Sequence, residues 1–345
     1  MGQTNYNGVL QKPIDSGFNA SSTTYDVIKG IDLTGKIAIV TGGDGGYGLE
    51  ITKALTSAGA TVIVPARDVE KAKENLRGIA NVEVERLNLT EPNSIDAFAK
   101  KFSDSGRPLH LLINNAGIMW TPLSRDERGF EAQFATNHLG HFQLTAKLWD
   151  ALKKANGARV VNVSSSSHHF SPVVFDDVNF TSREYNKFEA YGQSKTANIL
   201  FSLELDSKGQ QFGVRSYALH PGLSLETNLA RHLTFEDFVT LGFVNTDGTP
   251  NAEMDEAMKK IAKTKEQGAA TAVWAATSPL LHNIGGVYLE DNEVAQIDTE
   301  NYDAIASTYR NPGGFAGIAP YAVDKESAQK LWTLSEQMTK TKFDI

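Results

Sequence analysis

Cysteine is absent from this chain of 345 residues. That absence excludes a disulfide framework, a thiolate nucleophile and a cysteine-based zinc site. Positive charge is also scarce: 33 Lys and Arg stand against 41 Asp and Glu, which gives a formal net charge of −8. An acidic chain without basic clusters argues against nucleic acid as a partner and against binding to an anionic membrane surface.

Long hydrophobic runs are missing as well. The N-terminal residues contain no apolar stretch, so we expect neither a signal peptide nor a membrane anchor, and a cytoplasmic location. The hydrophobic fraction of 41% is ordinary for a globular protein. The length allows one large α/β domain or two small ones.

Short apolar runs alternate with segments of helical length from about residue 36 onward. Helices are expected at segments such as 49–57 and 130–154. This alternation predicts an α/β fold: a doubly wound parallel sheet of the Rossmann type, with helices on both faces, in a single domain. The predicted strands are 37–40, 61–64, 82–89, 109–113, 159–163, 214–219 and 286–289.

Three segments fall outside the alternation and define the expected domain organisation. Residues 1–35 form a polar N-terminal extension, expected to be loose or draped over the surface. Residues 36–323 form the Rossmann-type domain and include a long excursion at 223–265. That excursion has an apolar side that suits a substrate-binding lid, although a helix pair extending the core is an equal alternative. Residues 324–345 contain a predicted helix at 324–339, packed on the domain.

A glycine-rich segment, TGGDGGYG at 41–48, directly follows the first predicted strand. Such a turn lets the backbone approach a pyrophosphate, which then lies at the N-terminus of the next helix. A tight strand–helix connection is the alternative. No Gly-Lys-Ser/Thr follows, so a P-loop is excluded. The candidate cofactor residues of this loop are Gly42, Asp44, Gly46, Tyr47 and Gly48.

Arg67 follows Gly48 by 19 residues, near the tip of the second predicted strand. At that position an acidic residue accepts hydrogen bonds from a ribose 2′-hydroxyl, whereas a basic residue pairs with a 2′-phosphate. Arg67 therefore favours NADP(H). Asp68 comes next and keeps NAD(H) as the less favoured alternative, and Arg67 could also be an ordinary surface charge.

Tyr191 and Lys195 are spaced by four residues and share one face of a predicted helix. A free Tyr has a pKa of about 10, and a neighbouring cation is expected to lower it, which makes the phenol a usable general acid or base. Alone, this pair could be surface decoration. Ser165, however, ends a predicted strand and could donate a hydrogen bond to a substrate carbonyl in the same cleft.

Taken together, these motifs resemble the short-chain dehydrogenase/reductase family. The glycine loop, NNAG at 114–117, the strand-end serines, Tyr191 with Lys195, and HPG at 220–222 occur in the family's order over roughly residues 36–290. STTYDVIKG at 22–30 resembles the dehydrogenase part of WW-domain-containing oxidoreductase. NHLGHF at 137–142 and KTANILF at 195–201 are similar to that protein, to retinol dehydrogenases and to light-dependent protochlorophyllide reductases.

The resemblance implies a role for each catalytic candidate. Tyr191 would be the acid/base, and Ser165 would orient the substrate. Lys195 would bind the cofactor ribose and tune Tyr191, and Asn137 would hold a proton-relay water. Further cofactor contacts implied by the resemblance are Asn88, Leu89, Asn115, Ala116, Gly117, Pro221, Gly222 and Thr227.

Two of these positions depart from the family pattern. Asn88 stands where the family often has Asp, although an amide can still serve an adenine edge. Thr227 comes one residue later than the usual Thr, a position that Glu226 occupies. Among the four serines at 164–167 the second matches the pattern, with a one-residue ambiguity.

The expected function is the NADP(H)-dependent interconversion of a small hydrophobic carbonyl compound and its alcohol, in a possible homo-oligomer. A cofactor-binding regulatory or scaffold member of the family without turnover is the alternative. A sugar-nucleotide epimerase or dehydratase is disfavoured, because those enzymes carry a TGxxGxxG loop.

No metal site is expected, because the histidine pairs at 138/141 and 168/169 lack a third ligand. Aromatic side chains near the strand ends could line an apolar pocket, and each could equally belong to the core. These are Trp120, Phe170, Phe175 and Phe180.

Overall fold

The computed structural model describes residues 3–224, 226, 228–299 and 316–345. Within them, eight strands form one sheet in the order β3-β2-β1-β4-β5-β6-β7-β8. Every neighbouring pair is parallel except β7 and β8, which are antiparallel. The strands are β1 Ile37–Val40, β2 Thr61–Ala66, β3 Val82–Arg86, β4 Leu111–Asn114, β5 Arg159–Val163, β6 Arg215–Leu219, β7 Tyr288–Glu290 and β8 Glu293–Val294.

Helices cover both faces of this sheet, so the predicted doubly wound fold is confirmed. The central strands are short continuous apolar runs, such as IAIV in β1, because both of their faces are buried. The described helices are α1 Thr24–Ile28, α2 Gly46–Ser57, α3 Val69–Asn75, α4 Pro92–Asp104, α5 Ala132–Phe134, α6 Gly140–Lys147, α7 Trp149–Lys154, α8 Lys187–Gly209, α9 Phe235–Thr240, α10 Ala252–Ile261, α11 Lys265–Thr277 and α12 Lys325–Thr339.

The strand order reverses at β1, which lies between β2 and β4. In open parallel sheets, a crevice forms at the carboxyl ends of the strands where the order reverses, and ligands bind there. The topology therefore predicts a binding cleft above the ends of β1 and β4.

The segment 130–154, predicted as one helix, is interrupted in the structure. A π-helical turn spans Ala135–Leu139 between α5 and α6, and Leu148 separates α6 from α7 with non-helical angles (φ −97°, ψ 4°). The predicted third strand also extends too far, since β3 ends at Arg86. The short hairpin partner β8 was not predicted, because two residues carry no readable periodicity.

The N-terminal extension is draped over the sheet edge rather than loose. Asn5 and Gln11 are buried. The Gln11 side-chain amide donates hydrogen bonds to the backbone carbonyls of Tyr288 and Ala295, at 2.6 and 2.7 Å. This side chain therefore satisfies backbone groups of β7 and of the residue after β8.

Helix α12, predicted over 324–339, packs against α8 through an aromatic cluster. The Trp332 ring stacks on Phe343 with centroids 4.7 Å apart and meets Phe142 edge-on at 5.3 Å. Ser335 shares a 2.7 Å hydrogen bond with His138. The C-terminal helix thus supports the helices that carry the catalytic candidates. No helix in the described part of the chain is long and apolar enough to cross a membrane.

Candidate active site

The glycine-rich loop leaves β1 and enters α2 in a conformation that requires glycine. Gly42 and Gly46 have φ angles of +65° and +52°, in the left-handed region. A Cβ on Gly48 would lie 2.1 Å from the Gly42 carbonyl oxygen and 2.7 Å from Asn115 Nδ2. The bare backbone leaves a concave surface at the N-terminus of α2, where a helix favours anionic groups.

Thr41 fastens this loop to the end of β4. Its hydroxyl accepts hydrogen bonds from the backbone N–H groups of Asn115 and Ala116, at 2.9 and 3.0 Å. The Asn115 side chain donates back to the Thr41 carbonyl at 3.0 Å. The same hydroxyl bonds His141 Nε2 at 3.0 Å, and burial lowers the pKa of His141 to about 4. Thr41 was not among the predicted site residues, because its role depends on a contact between distant segments.

Tyr191 and Lys195 lie on α8 and are both buried. The Lys195 Nζ lies 5.5 Å from the Tyr191 ring centroid and donates a 3.0 Å hydrogen bond to the Val163 carbonyl. Ser165 lies beside Tyr191 in the cleft, where its hydroxyl lowers the pKa of the phenol. Ser164 instead donates to the Lys195 carbonyl at 2.7 Å. Ser165 is therefore the serine that meets Tyr191.

Burial controls the pKa of both groups. Burial raises the pKa of Tyr191 above its usual value. This effect outweighs the lowering of the pKa by Ser165. Burial also lowers the pKa of Lys195 to about 7. The net pKa of Tyr191 is therefore raised rather than lowered, because desolvation is the largest effect. Tyr191 stays protonated at neutral pH and is ready to act as an acid.

Asn137 lies in the π-helical turn, directly behind Gly117. Its side chain accepts a hydrogen bond from Ile118 N–H at 2.9 Å, and donates to the Ile118 carbonyl at 3.0 Å and to Ser194 at 2.9 Å. A Cβ on Gly117 would lie 3.1 Å from Asn137 Oδ1 and 3.6 Å from Lys195 Nζ. The turn thus brings Asn137 close to Lys195, and these contacts fix its amide.

Apart from Asn137, which is fully buried behind Gly117, these groups share one cleft of about 1200 Å³ at the carboxyl ends of the strands. Gly48 lies beneath the glycine loop, and Thr227 lies outside the described residues. The predicted site residues that line the cleft are Gly42, Asp44, Gly46, Tyr47, Arg67, Asn88, Leu89, Asn115, Ala116, Gly117, Ser165, Tyr191, Lys195, Pro221 and Gly222.

The cleft wall near the tip of β2 carries charges of both signs, from Arg67, Lys71 and Asp68. Arg67 is exposed there, and Lys71, which was not predicted, also lines the cleft. The Asp68 carboxylate caps α3 by accepting a 3.1 Å hydrogen bond from Lys71 N–H. The Asn88 side chain stabilises the turn in which it lies. Its amide accepts a hydrogen bond from the Thr90 hydroxyl at 2.9 Å and donates one to the Glu91 carboxylate at 2.7 Å.

The 223–265 excursion covers the catalytic end of the cleft with a short 3₁₀ turn, α9 and α10. Leu233, Phe238 and Phe243 line the cleft. Asp237 on α9 forms an ion pair with Lys187, the first residue of α8. The excursion is therefore tied directly to the helix that carries Tyr191.

Of the four aromatic candidates, Trp120 lines the cleft. Phe170 packs beside Gly192 on α8, and Phe180 packs edge-on against Tyr185 at 5.1 Å. Phe175 lies under the Lys330 ammonium of α12, 4.6 Å away. Phe175 and Phe180 thus belong to packing elsewhere in the fold.

The buried histidines serve backbone and packing contacts. His168 bonds the Ser165 carbonyl through Nδ1 at 2.8 Å and accepts from Ala319 N–H through Nε2 at 3.0 Å. Burial lowers the pKa of His138 to about 3. Among the residues that the structure describes, no group of three or more His, Asp or Glu side chains could hold a metal ion.

Comparisons with known proteins point to the same family as the sequence motifs. The family model described as short chain dehydrogenase matches residues 36–237. A protein of Streptomyces lividans named as a probable oxidoreductase is 39% identical over 310 residues, covering 88% of this chain and 97% of its own length. Retinol dehydrogenase 11 of Homo sapiens is 38% identical over 297 residues, covering 84% and 86%.

A solved structure agrees with these matches. The crystal structure of an uncharacterized protein from Mycobacterium Paratuberculosis superposes with a TM-score of 0.69 at 31% identity, and covers 94% of this chain and all (100%) of that chain. The resemblance predicted from the motifs is thereby confirmed. This chain is an oxidoreductase and belongs to the short-chain dehydrogenase/reductase family.

Proposed function

We propose that the protein interconverts a hydrophobic carbonyl compound and its alcohol, with NADP(H) as the hydride carrier. One observation carries the proposal: the Tyr191 and Ser165 side chains line the same cleft as the glycine loop. A cofactor with its pyrophosphate on that loop could extend along the cleft toward Tyr191. The chemistry and the cofactor site thus occupy one continuous space.

The residues present fit a dinucleotide. The backbone of Gly42, Gly46 and Gly48 leaves the space that a pyrophosphate needs at the N-terminus of α2. Arg67 and Lys71 would pair with a 2′-phosphate, which favours NADP(H) over NAD(H). Asp68 also lines the cleft and caps α3 through one carboxylate oxygen, so NAD(H) stays the less favoured alternative.

When bound, the nicotinamide would supply or accept the hydride. In the reductive direction, Ser165 would donate a hydrogen bond to the substrate carbonyl oxygen and hold it beside Tyr191. The Tyr191 phenol would then transfer its proton to that oxygen as negative charge develops. Lys195, held by the Val163 carbonyl, would bind ribose hydroxyls and favour the transient phenolate. The ligand-free phenol of Tyr191 carries the proton that the reductive direction uses, because burial raises its pKa.

The substrate class follows from the lid. Leu233, Phe238 and Phe243 present apolar surface to the catalytic end of the cleft. An apolar cover favours a hydrophobic substrate and excludes water from the hydride-transfer step.

We also propose that the protein is cytoplasmic, which is in keeping with a chain that contains no cysteine. The formation of a homo-oligomer stays a prediction.

The test is turnover of a panel of aldehydes, ketones and quinones with NADPH or NADH. We expect NADPH oxidation with at least one hydrophobic member. Tyr191→Phe should lower kcat by about 10²–10⁴-fold while the Kd for NADPH stays within a factor of a few. Tyr217→Phe is a matched control, because the Tyr217 hydroxyl bonds the Leu281 carbonyl and does not line the cleft.

Two results would overturn the proposal. If Tyr191→Phe turned over as fast as the parent, the assigned acid/base role would be wrong. If the parent bound NADPH and turned over no member of the panel, the cofactor-binding regulatory or scaffold function would replace it.

A further inference from the structure

Trp120 has an unusual backbone conformation at the edge of the cleft. Its φ angle is +53°, in the left-handed region that a bulky side chain rarely adopts. Such conformations persist where the surrounding structure holds them, and they concentrate at functional sites. What holds Trp120 is therefore informative.

A buried polar network fixes this residue from behind. The side-chain oxygen of Gln133, which is fully buried, accepts a 2.7 Å hydrogen bond from Trp120 N–H. The Gln133 amide nitrogen donates to the Tyr185 hydroxyl and to the Lys187 carbonyl, both at 3.0 Å. The Tyr185 hydroxyl in turn donates to the carbonyl of Thr121 at 3.0 Å. Both Trp120 and the residue after it are thus anchored to the start of α8.

The network places the indole next to the proposed acid. The Trp120 ring meets Phe188 edge-on at 5.2 Å and Tyr191 edge-on at 6.3 Å, between ring centroids. Trp120 lines the cleft together with Leu233 and Phe238 of the lid. The indole is thus a wall of the catalytic end of the cleft, and the backbone that carries it is fixed by the hydrogen bond to Gln133.

We propose that Trp120 determines the substrate range of the reaction by limiting the space beside Tyr191. This inference rests on the proposed function. A carbonyl carbon that carries one slim group, as in an aldehyde or a methyl ketone, would fit with its larger apolar group toward the lid. A carbonyl carbon with bulky branched groups on both sides would collide with the indole.

The experiment compares benzaldehyde, acetophenone and isobutyrophenone as substrates with NADPH. In Trp120→Ala and Trp120→Gly we expect the ratio of kcat/KM for isobutyrophenone to that for benzaldehyde to rise at least tenfold. Trp120→Phe should give a smaller rise. Trp120→Gly suits the left-handed backbone and guards against a folding defect. Phe175→Ala is the matched control, because that ring lies beside α12 and should leave the ratio unchanged.

Binding of the same three compounds in the presence of NADP⁺, measured by calorimetry, separates this proposal from the proposed function. Tighter relative binding of isobutyrophenone by Trp120→Ala supports the inference even if the parent turns over nothing, in which case the proposed function alone fails. An unchanged ratio for both kinetics and binding, or absence of binding by every variant, overturns the inference. A similar decrease in kcat/KM and in binding for all three compounds also overturns the inference, because such a decrease indicates that Trp120 has a merely structural role.

Discussion

Replacing Lys195 by Met should stabilise the protein while it removes activity. Lys195 is 3% exposed, and burial lowers its pKa from 10.5 to about 7. At about 1.4 kcal/mol per pKa unit, holding this group costs on the order of 5 kcal/mol below pH 7. Loss of the hydrogen bond to the Val163 carbonyl offsets about 1 kcal/mol of the gain. We expect Lys195→Met to raise the free energy of unfolding by about 2–4 kcal/mol at pH 7.

The pH dependence of this gain has a definite sign. The unfolded chain keeps the Lys195 proton up to a pKa of 10.5, whereas the folded protein releases it near pH 7. Between these values the unfolded state binds more protons, so the stability of the parent rises with pH. The advantage of Lys195→Met should therefore be fully present below pH 7 and disappear as the pH approaches 10.5.

Urea unfolding followed by circular dichroism at pH 6, 7 and 9 measures the effect. Lys100→Met is the control, because the Lys100 side chain is 74% exposed and its replacement should change stability by less than about 0.5 kcal/mol. A less stable Lys195→Met at pH 6, or a gain that does not change with pH, would refute the reasoning.

Three other predictions concern the cofactor loop, the cofactor preference and the lid. Arg67→Ala should weaken NADPH binding by about 10–100-fold and leave the Kd for NADH unchanged, measured by fluorescence titration, because a charge-assisted contact contributes about 1.5–3 kcal/mol. Gly48→Ala should abolish detectable NADPH binding and lower stability by about 1–3 kcal/mol in thermal unfolding, since its Cβ would lie 2.1 Å from the Gly42 carbonyl oxygen. Lys187→Met should raise KM for the carbonyl substrate about tenfold without changing the Kd for NADPH, because it releases Asp237 of the lid.

Each of these has an opposite result that would contradict it. If Arg67→Ala lost equal affinity for NADPH and NADH, Arg67 would not contact the 2′-phosphate. Normal NADPH binding by Gly48→Ala would mean that the loop does not hold the pyrophosphate. An unchanged KM in Lys187→Met would leave the lid without a function in substrate binding.

The sheet and the cofactor loop could be predicted because their signals are local. Buried parallel strands appear as short apolar runs, and a turn that admits no Cβ at Gly48 must carry glycine there. Tyr191 and Lys195 were predictable for the same reason, since four residues along a helix fix their common face. These features can be read within a window of a few residues.

The features that could not be predicted depend on contacts between distant segments. The π-helical turn at Ala135–Leu139 has no sequence signature, yet it directs Asn137 toward Ile118. The pKa of Tyr191 is raised because the effect of burial is larger than the lowering by Ser165, and burial depends on the complete fold. Likewise, Gln133 holds Trp120 in a left-handed conformation that the sequence gives no reason to expect.

The central claim is that Tyr191 delivers the proton in a hydride transfer from NADPH. The most direct measurement is a single-turnover reaction of the parent and of Tyr191→Phe with NADPH deuterated at the transferred position and a carbonyl substrate from the panel. We predict deuterium on the carbinol carbon in the parent, and a rate at least about 10²-fold lower in Tyr191→Phe with the cofactor still bound. Equal rates in the two proteins, or an alcohol without deuterium, would contradict the account.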